Sequence, residues 1–522
     1  MTFIDDVRLI QGGMGVHVSN WRLARAVAGE HPGRTAGTVS GTALDIVYAR
    51  LLQLGDPGGH ARRALRALDE QFGTKIGATV LARYFVEGGK APSARFERTP
   101  MHLLRLPGGG TALPAADGKS STVRLTLDDE TIEMLIATGF AEVWLAKEGH
   151  SGKVFINFLN KIEPPLLFAL YGAMLAGVDG VVVGAGNPDG LPAICSRLAQ
   201  HAEVHRNMSV LYRDAGEQFT VGFDPGRVAG GAFAQRPLRR PAFLAIVSLE
   251  DLVQALATSH SERPDGFVIE HHTAGGHNAN PVGPLRRDGS GQLIYSEKDE
   301  ADLAAIKRIA PRFWLAGGYG SREGLARARA SGALGVQVGS VFALAEESGL
   351  KGDYRAAILR EFRKGTDDAS LIRTTMFSPT GFAFKVVQLS ETLSEQDVYE
   401  ARRRVCDLGV LQQWGVTNPT DGSARTLMHR CPSAPVGSYV HRRGLERGTD
   451  QRRCLCNGLL ACVGLGQVQE RAGTVTEEPA IITLGDHLDG ARRISRQGQS
   501  PYWARDVVAD ILGAPEGIGQ SA

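Results

Sequence analysis

His277 is the residue best suited to proton chemistry in this chain. It closes the segment Gly266–His277, GFVIEHHTAGGH, in which Phe267-Val268-Ile269 leads through polar residues to Gly275 and Gly276. An apolar run bounded by turn signals reads as a buried strand. Paired glycines remove the Cβ atoms that would keep a flat ligand at a distance. An imidazole at such a lip can take up and release protons near neutral pH. The competing reading is a glycine turn followed by an ordinary surface histidine. His271 and His272 precede it, and adjacent residues at a strand end point to opposite faces, so at most one of them faces the same site. The three histidines match no known zinc spacing, and no metal is expected among them.

Glycine-rich turns recur elsewhere. They are Gln11-Gly12-Gly13-Met14-Gly15, Gly184-Ala185-Gly186-Asn187-Pro188, Gly317-Gly318-Tyr319-Gly320-Ser321 and Gly339-Ser340. Free backbone N–H groups reached through glycines at a helix N-terminus hold phosphate. No G-x-x-x-x-G-K-[ST] occurs, which excludes a P-loop, and the Gly184 turn lacks the third glycine of a dinucleotide fingerprint. A phosphate-bearing flavin, FMN, fits these turns better than a dinucleotide held in the Rossmann manner. The competing reading is that a barrel needs glycines at its strand ends in any case. Cys431, Cys454, Cys456 and Cys462 follow C-x-C and C-x5-C spacings near His429 and His441. That is not the paired C-x2-C of a zinc site, so buried thiols are expected and no metal. Asp128-Asp129 reads as helix-start charge rather than an acid pair.

These groups need a scaffold, and the apolar pattern supplies one. Strands are predicted at Arg8–Gln11, Gly37–Ser40, Lys153–Phe158, Asp179–Val183, Phe243–Val247, Phe267–Glu270, Phe313–Ala316 and Gly335–Val338. Helical stretches fall at Pro164–Ala176, Leu191–His201, Leu249–Ser259, Glu300–Ile309 and Arg322–Ser331. Eight strand–helix units predict an α/β fold, a (β/α)8 TIM barrel with its site at the strand C-termini, where the glycine turns and Asn157 lie. A barrel over residues 1–400 would carry a long insertion at about 58–140, with a helix at Ala61–Phe72 and a mobile loop at Pro107–Ser121. A shorter excess spans Val204–Arg240. Residues 401–522 form a Cys/Arg/Gly-rich extension, expected to act as a lid or oligomer contact near the mouth of the site.

Composition narrows the function classes. The 522 residues are 43% hydrophobic and 22% charged, with a net charge of +2, so no strong field argues for nucleic acid or acidic lipid as partner. The 65 glycines approach twice the usual share of about 7% and read as many tight loops rather than disorder. The acidic N-terminus is unlike a secretory signal, and the apolar run Leu166–Val178 is too short to span a bilayer. Six cysteines are no disulfide framework in a chain of this length. A cytoplasmic protein with no membrane partner is the expectation.

QGGMG, VGAGNP, TAGGHN, FWLAGGYGS and GVQVGSVFALAEESG, in this order and spacing, resemble the nitronate monooxygenase family, formerly 2-nitropropane dioxygenase. That family is similar in turn to the FMN-dependent enoyl-acyl-carrier-protein reductases and their stand-alone relatives in polyketide and polyunsaturated fatty acid pathways. The resemblance covers about Arg8 to Leu389 and identifies the superfamily better than its members. It implies a (β/α)8 barrel with FMN at the strand C-termini. Met14 and Gly15 would approach the flavin ring, with Gly275 and Gly276 on the same wall, and Asn157 would bond the ring's polar edge. Gly317, Gly318, Gly339 and Ser340 would hold the phosphate, and His277 matches the residue assigned to catalysis. Simple members have glycine soon after that histidine, whereas Asn278-Ala279-Asn280-Pro281 follows here, which shifts the question to the substrate side. The resemblance implies oxidation of a nitronate or small carbon acid with O2. The alternatives are a trans-acting, NAD(P)H-dependent enoyl reductase whose insertion docks a carrier protein, and a non-catalytic flavin-binding scaffold. A homo-oligomer is expected.

Overall fold

The computed structural model describes residues 3–114, 121–235, 237–402, 406–419, 423–471 and 473–513. Eight strands close into an all-parallel barrel: β1 (Leu9–Gln11), β2 (Thr35–Ser40), β3 (Lys153–Leu159), β4 (Gly180–Gly184), β5 (Ala242–Val247), β6 (Gly266–Glu270), β7 (Phe313–Ala316) and β8 (Gly335–Val338). Each pairs with its sequence neighbours, and β8 closes on β1 through Leu9↔Val336 to Gln11↔Val338. The fold is the (β/α)8 barrel expected from the sequence, and every predicted strand is present.

The strands fold this way because their side chains alternate between two apolar environments. Ile10, Ala36, Phe155, Val182, Leu244, Val268 and Trp314 form one buried cluster inside the barrel. Their neighbours Leu9, Val154, Val181, Phe243, Phe267 and Phe313 belong to the larger cluster shared with the surrounding helices. Ile4 and Val7 join the inner cluster, and the Trp314 indole N–H donates to the Val7 carbonyl at 3.0 Å. These residues plug the N-terminal end of the barrel, and the cleft opens at its C-terminal end.

Much of the extra chain length is built around the barrel's outer helices. Strand Ser121–Leu125, from the long insertion, pairs with Glu217–Phe223 of the second excess, which also pairs with Val204–Asn207. The two insertions therefore share one sheet. The predicted mobile loop Pro107–Ser121 falls partly outside the described residues, at 115–120. Beyond β8, strands Ile372–Phe377 and Ala383–Val387 form a small antiparallel sheet whose third member is His277–Asn278. Helix Ala504–Leu512, near the end of the chain, packs on helices Trp21–Glu30 and Arg322–Ala330, which follow β1 and β7. It stands where a helix following β8 would complete the ring. No helix among the described residues is long and apolar enough to cross a membrane.

Candidate active site

The barrel mouth opens into a cleft enclosing about 1590 Å³ of non-protein space, continuous with solvent. Met14, Gly15, Asn157, Gly275 and Gly276 all line it, as do His277, Gly317, Gly318, Gly339 and Ser340. Five strand ends bring these ten residues to one place, although more than 320 positions separate the first from the last.

The loop after β1 is held from below. Gln11 is fully buried; its amide donates to the Gly12 carbonyl and to Ser19 Oγ, and its carbonyl oxygen accepts from the Thr38 N–H of β2. Ser19 Oγ also accepts from the Met14 N–H at 2.9 Å, and Ser40 Oγ donates to the Gly15 carbonyl at 2.7 Å. Gly13 must be glycine, because a Cβ there would lie 2.3 Å from the Asn157 Cβ. Asn157 Nδ2 donates to the Val182 carbonyl at 3.2 Å, which fixes how its amide is presented. Gln11, Ser19 and Ser40 are positioning residues that sequence reading missed; their only signal was a polar side chain inside otherwise apolar runs.

His277 sits on a strand edge rather than at a bare turn. It pairs with Phe384, and the Gly276 carbonyl accepts from the Lys385 N–H. The Phe384 ring meets the imidazole edge-on, with centroids 5.0 Å apart. His277 Nε2 is buried and has no hydrogen-bond partner within the described protein. Burial pushes the imidazole pKa down to about 4, so the ring is neutral at physiological pH. His271 and His272 do not line the cleft. They lie beyond the last residue of β6, where strand alternation no longer applies; their ring centroids are 4.0 Å apart and tilted by 38°, with Glu300 beside both.

Glu270, the last residue of β6, also lines the cleft and was not singled out from the sequence. Burial raises its carboxyl to about 7, with the Lys385 ammonium opposing the shift. Lys385 is itself buried and ion-paired to Asp486. A lone glutamate closing an apolar strand was the available signal.

The turns after β7 and β8 form the opposite wall. Gly317 and Gly318 have φ of +88° and +81°, a region that side chains rarely adopt. Ser321 caps the following helix by accepting from the Gly324 N–H. The chain's extension reaches over these turns. The Gly485 N–H donates to Ser340 Oγ at 2.7 Å, leaving the hydroxyl hydrogen to donate elsewhere, and the Asp486 N–H donates to the Thr273 carbonyl. A Cβ on Gly485 would lie 2.7 Å from the Thr273 oxygen, and one on Gly318 would lie 2.8 Å from the His487 ring. Thr483, Leu484, Gly485 and His487 thus line the cleft from a region with no β/α rhythm to announce it.

The arrangement fits a flavin. Cβ-free turns line one wall, a free hydroxyl hydrogen stands at Ser340, an oriented amide at Asn157, and an unpartnered imidazole nitrogen at His277. No protein-family profile matches the chain, and no curated protein matches its sequence. Among solved structures, similarity is found to FabK from Thermotoga maritima, at 12% identity over 98% of this chain and 93% of that one, TM-score 0.42. It is also found to the nitroalkane oxidase from Streptomyces ansochromogenes, at 14% identity over 74% and 79%, TM-score 0.38. A third is the enoyl reductase domain of MlnA from the macrolactin cluster of Bacillus amyloliquefaciens, at 10% identity over 96% and 91%, TM-score 0.41. Likeness this distant says nothing of the chemistry performed.

Proposed function

We propose that the chain is an FMN-dependent oxidoreductase of the nitronate monooxygenase kind, oxidising a nitronate or a related small carbon acid with O2. The observation that carries this reading is the buried, unpartnered Nε2 of a neutral His277 on the wall of the cleft. Gly317, Gly318, Gly339 and Ser340 would hold the phosphate of FMN, and Met14, Gly15 and Asn157 its ring. Bound FMN would supply the electron acceptor that no side chain here can offer. His277 is uncharged until substrate arrives. Negative charge developing on a carbon acid then favours the protonated ring, because an opposite charge a few ångströms away offsets the cost of burial. From a neutral carbon acid the α-carbon proton passes to the buried Nε2, whereas a nitronate, already deprotonated, binds as the anion and needs no such transfer.

A second reading has its own observation. Leu408, Val410, Leu411, Leu459 and Leu460 all line the cleft, and apolar lining of this kind suits an acyl chain. In that case the protein is an enoyl reductase fed by NAD(P)H, with a carrier protein presenting the thioester.

One anaerobic experiment separates them. The purified flavoprotein is mixed with propionate 3-nitronate, and separately with NADPH, while the flavin spectrum is followed. Bleaching or a radical spectrum with nitronate alone supports the first reading. Fast reduction by NADPH without a nitronate response supports the second. A chain that binds no FMN refutes both.

A further inference from the structure

Four of the six cysteines meet at a second cavity. Cys406, Cys431, Cys454 and Cys456 all line a space of about 550 Å³, open to solvent on one side and distinct from the main cleft. They arrive from three separate segments, 406–412, 431–435 and 454–457. Cys195 and Cys462 are buried elsewhere. We propose that these four thiols hold a polynuclear iron–sulfur cluster.

Three observations point this way. A thiol kept only for packing fills interior space, whereas these four border one common cavity that opens to solvent. Positive charge also reaches this cluster of thiols: the Arg402 guanidinium lies beside Cys454 and donates to its carbonyl at 3.4 Å. Positive charge near a sulfur stabilises its thiolate, the form in which cysteine binds metal. The spacing argues against a single zinc ion. A single zinc holds its sulfurs at about 2.3 Å, which places them roughly 3.8 Å from one another in a tetrahedron. Among the described residues no three of these sulfurs lie within 4.8 Å of one another; the one such group of metal-ligating side chains is His271, His272 and Glu300. A cluster of several irons and sulfides separates its four thiolates further than one ion does.

The expectation of no metal rested on local spacing, and a site assembled from three distant segments has no local spacing to find. Its consequence for the molecule is mechanical. Cys456, Leu408, Val410 and Leu411 line both cavities, so the cluster would tie together one wall of the main cleft. Assembly from equal ferrous and ferric iron with sulfide needs no net electron transfer. Each thiol gives its proton to solvent as its sulfur bonds iron.

The test uses the full chain, produced anaerobically and reconstituted with iron and sulfide, then stripped of flavin before spectroscopy. The expected result is about four irons and four acid-labile sulfides per chain, broad visible absorption, and an electron paramagnetic resonance signal after dithionite. Cys431→Ser and Cys454→Ser should lose it, while Cys195→Ser should keep it. Should the site variants fail to fold, the unmodified chain decides alone. Loading must then protect four thiols from alkylation, and chelation must expose them. Zinc without sulfide, a disulfide among these cysteines, or protein that takes up no metal overturns the proposal.

Discussion

At the scale of single residues, the cleft holds two ionisable groups shifted in opposite directions by the same burial. His277 is lowered to about 4 and Glu270 raised to about 7. His277 must be neutral to accept a proton, so kcat/KM for a neutral nitroalkane should rise as pH increases through about 4 and then level off. As Glu270 ionises near 7 it places negative charge beside a substrate that is itself becoming anionic, and the rate should fall. Glu270→Gln should abolish the upper limb and keep the lower one; an unchanged profile would remove Glu270 from the site. His277→Ala should retain flavin but lose 10²-fold or more in kcat, on the order expected for a general base. Stability gives a second readout. A carboxyl whose folded pKa exceeds its unfolded one contributes stability that is full below about 4.5 and is lost as pH rises through about 7. Glu270→Gln should therefore gain in Tm relative to the parent at pH 8 compared with pH 5. The gain is bounded at about 3 kcal/mol and reduced by solvent at the cleft edge.

At the scale of elements, the barrel depends on close backbone approach at particular glycines. A Cβ on Gly37 of β2 would lie 1.8 Å from the Ala24 carbonyl oxygen of helix Trp21–Glu30, so the helix could pack only by moving outward. Gly37→Ala should cost at least the 1–3 kcal/mol typical of overpacking, about that much or more here because the obstacle is backbone. The check is the urea midpoint. Such contacts are invisible in a single sequence, but the alternation that makes β1–β8 is not. Phe155 facing inward and Val154 outward is a period-2 signal that survives without any structure. For the same reason the strand ends, and with them the glycine turns and His277, were legible at once. Gln11 and Glu270 were not singled out, because a polar residue in an apolar run declares itself only when its partners are known. The cysteine cavity was hidden by sequence distance, since Cys431 and Cys454 become neighbours only through folding.

At the scale of the whole molecule, the last helix of the extension beyond residue 400 joins the barrel's own ring of helices. Helix Ala504–Leu512 buries Val507, Val508 and Ile511, and contacts the helices that follow β1 and β7. Just before it, the Tyr502 hydroxyl donates to the Val341 carbonyl at 2.7 Å and the Ala504 N–H donates to Glu347, so the segment is fastened to the chain that follows β8. The intervening chain passes over the cleft through Gly485 and His487 on its way there. The last part of the sequence thus has two tasks at once: it completes the ring and roofs the candidate phosphate turns. A separable lid would unfold on its own and leave the barrel intact. A ring helix cannot, because its loss uncovers apolar faces on two neighbours. Val508→Asp places an unpaired charge in that contact, a change that costs several kcal/mol. The outcome expected is one cooperative transition for the parent, with circular dichroism and tryptophan fluorescence superimposed. For the variant, the whole transition should shift to lower temperature and flavin should be released along with it. Two resolved transitions, with only the smaller one moved by Val508→Asp, would show that the extension folds as a unit apart from the barrel.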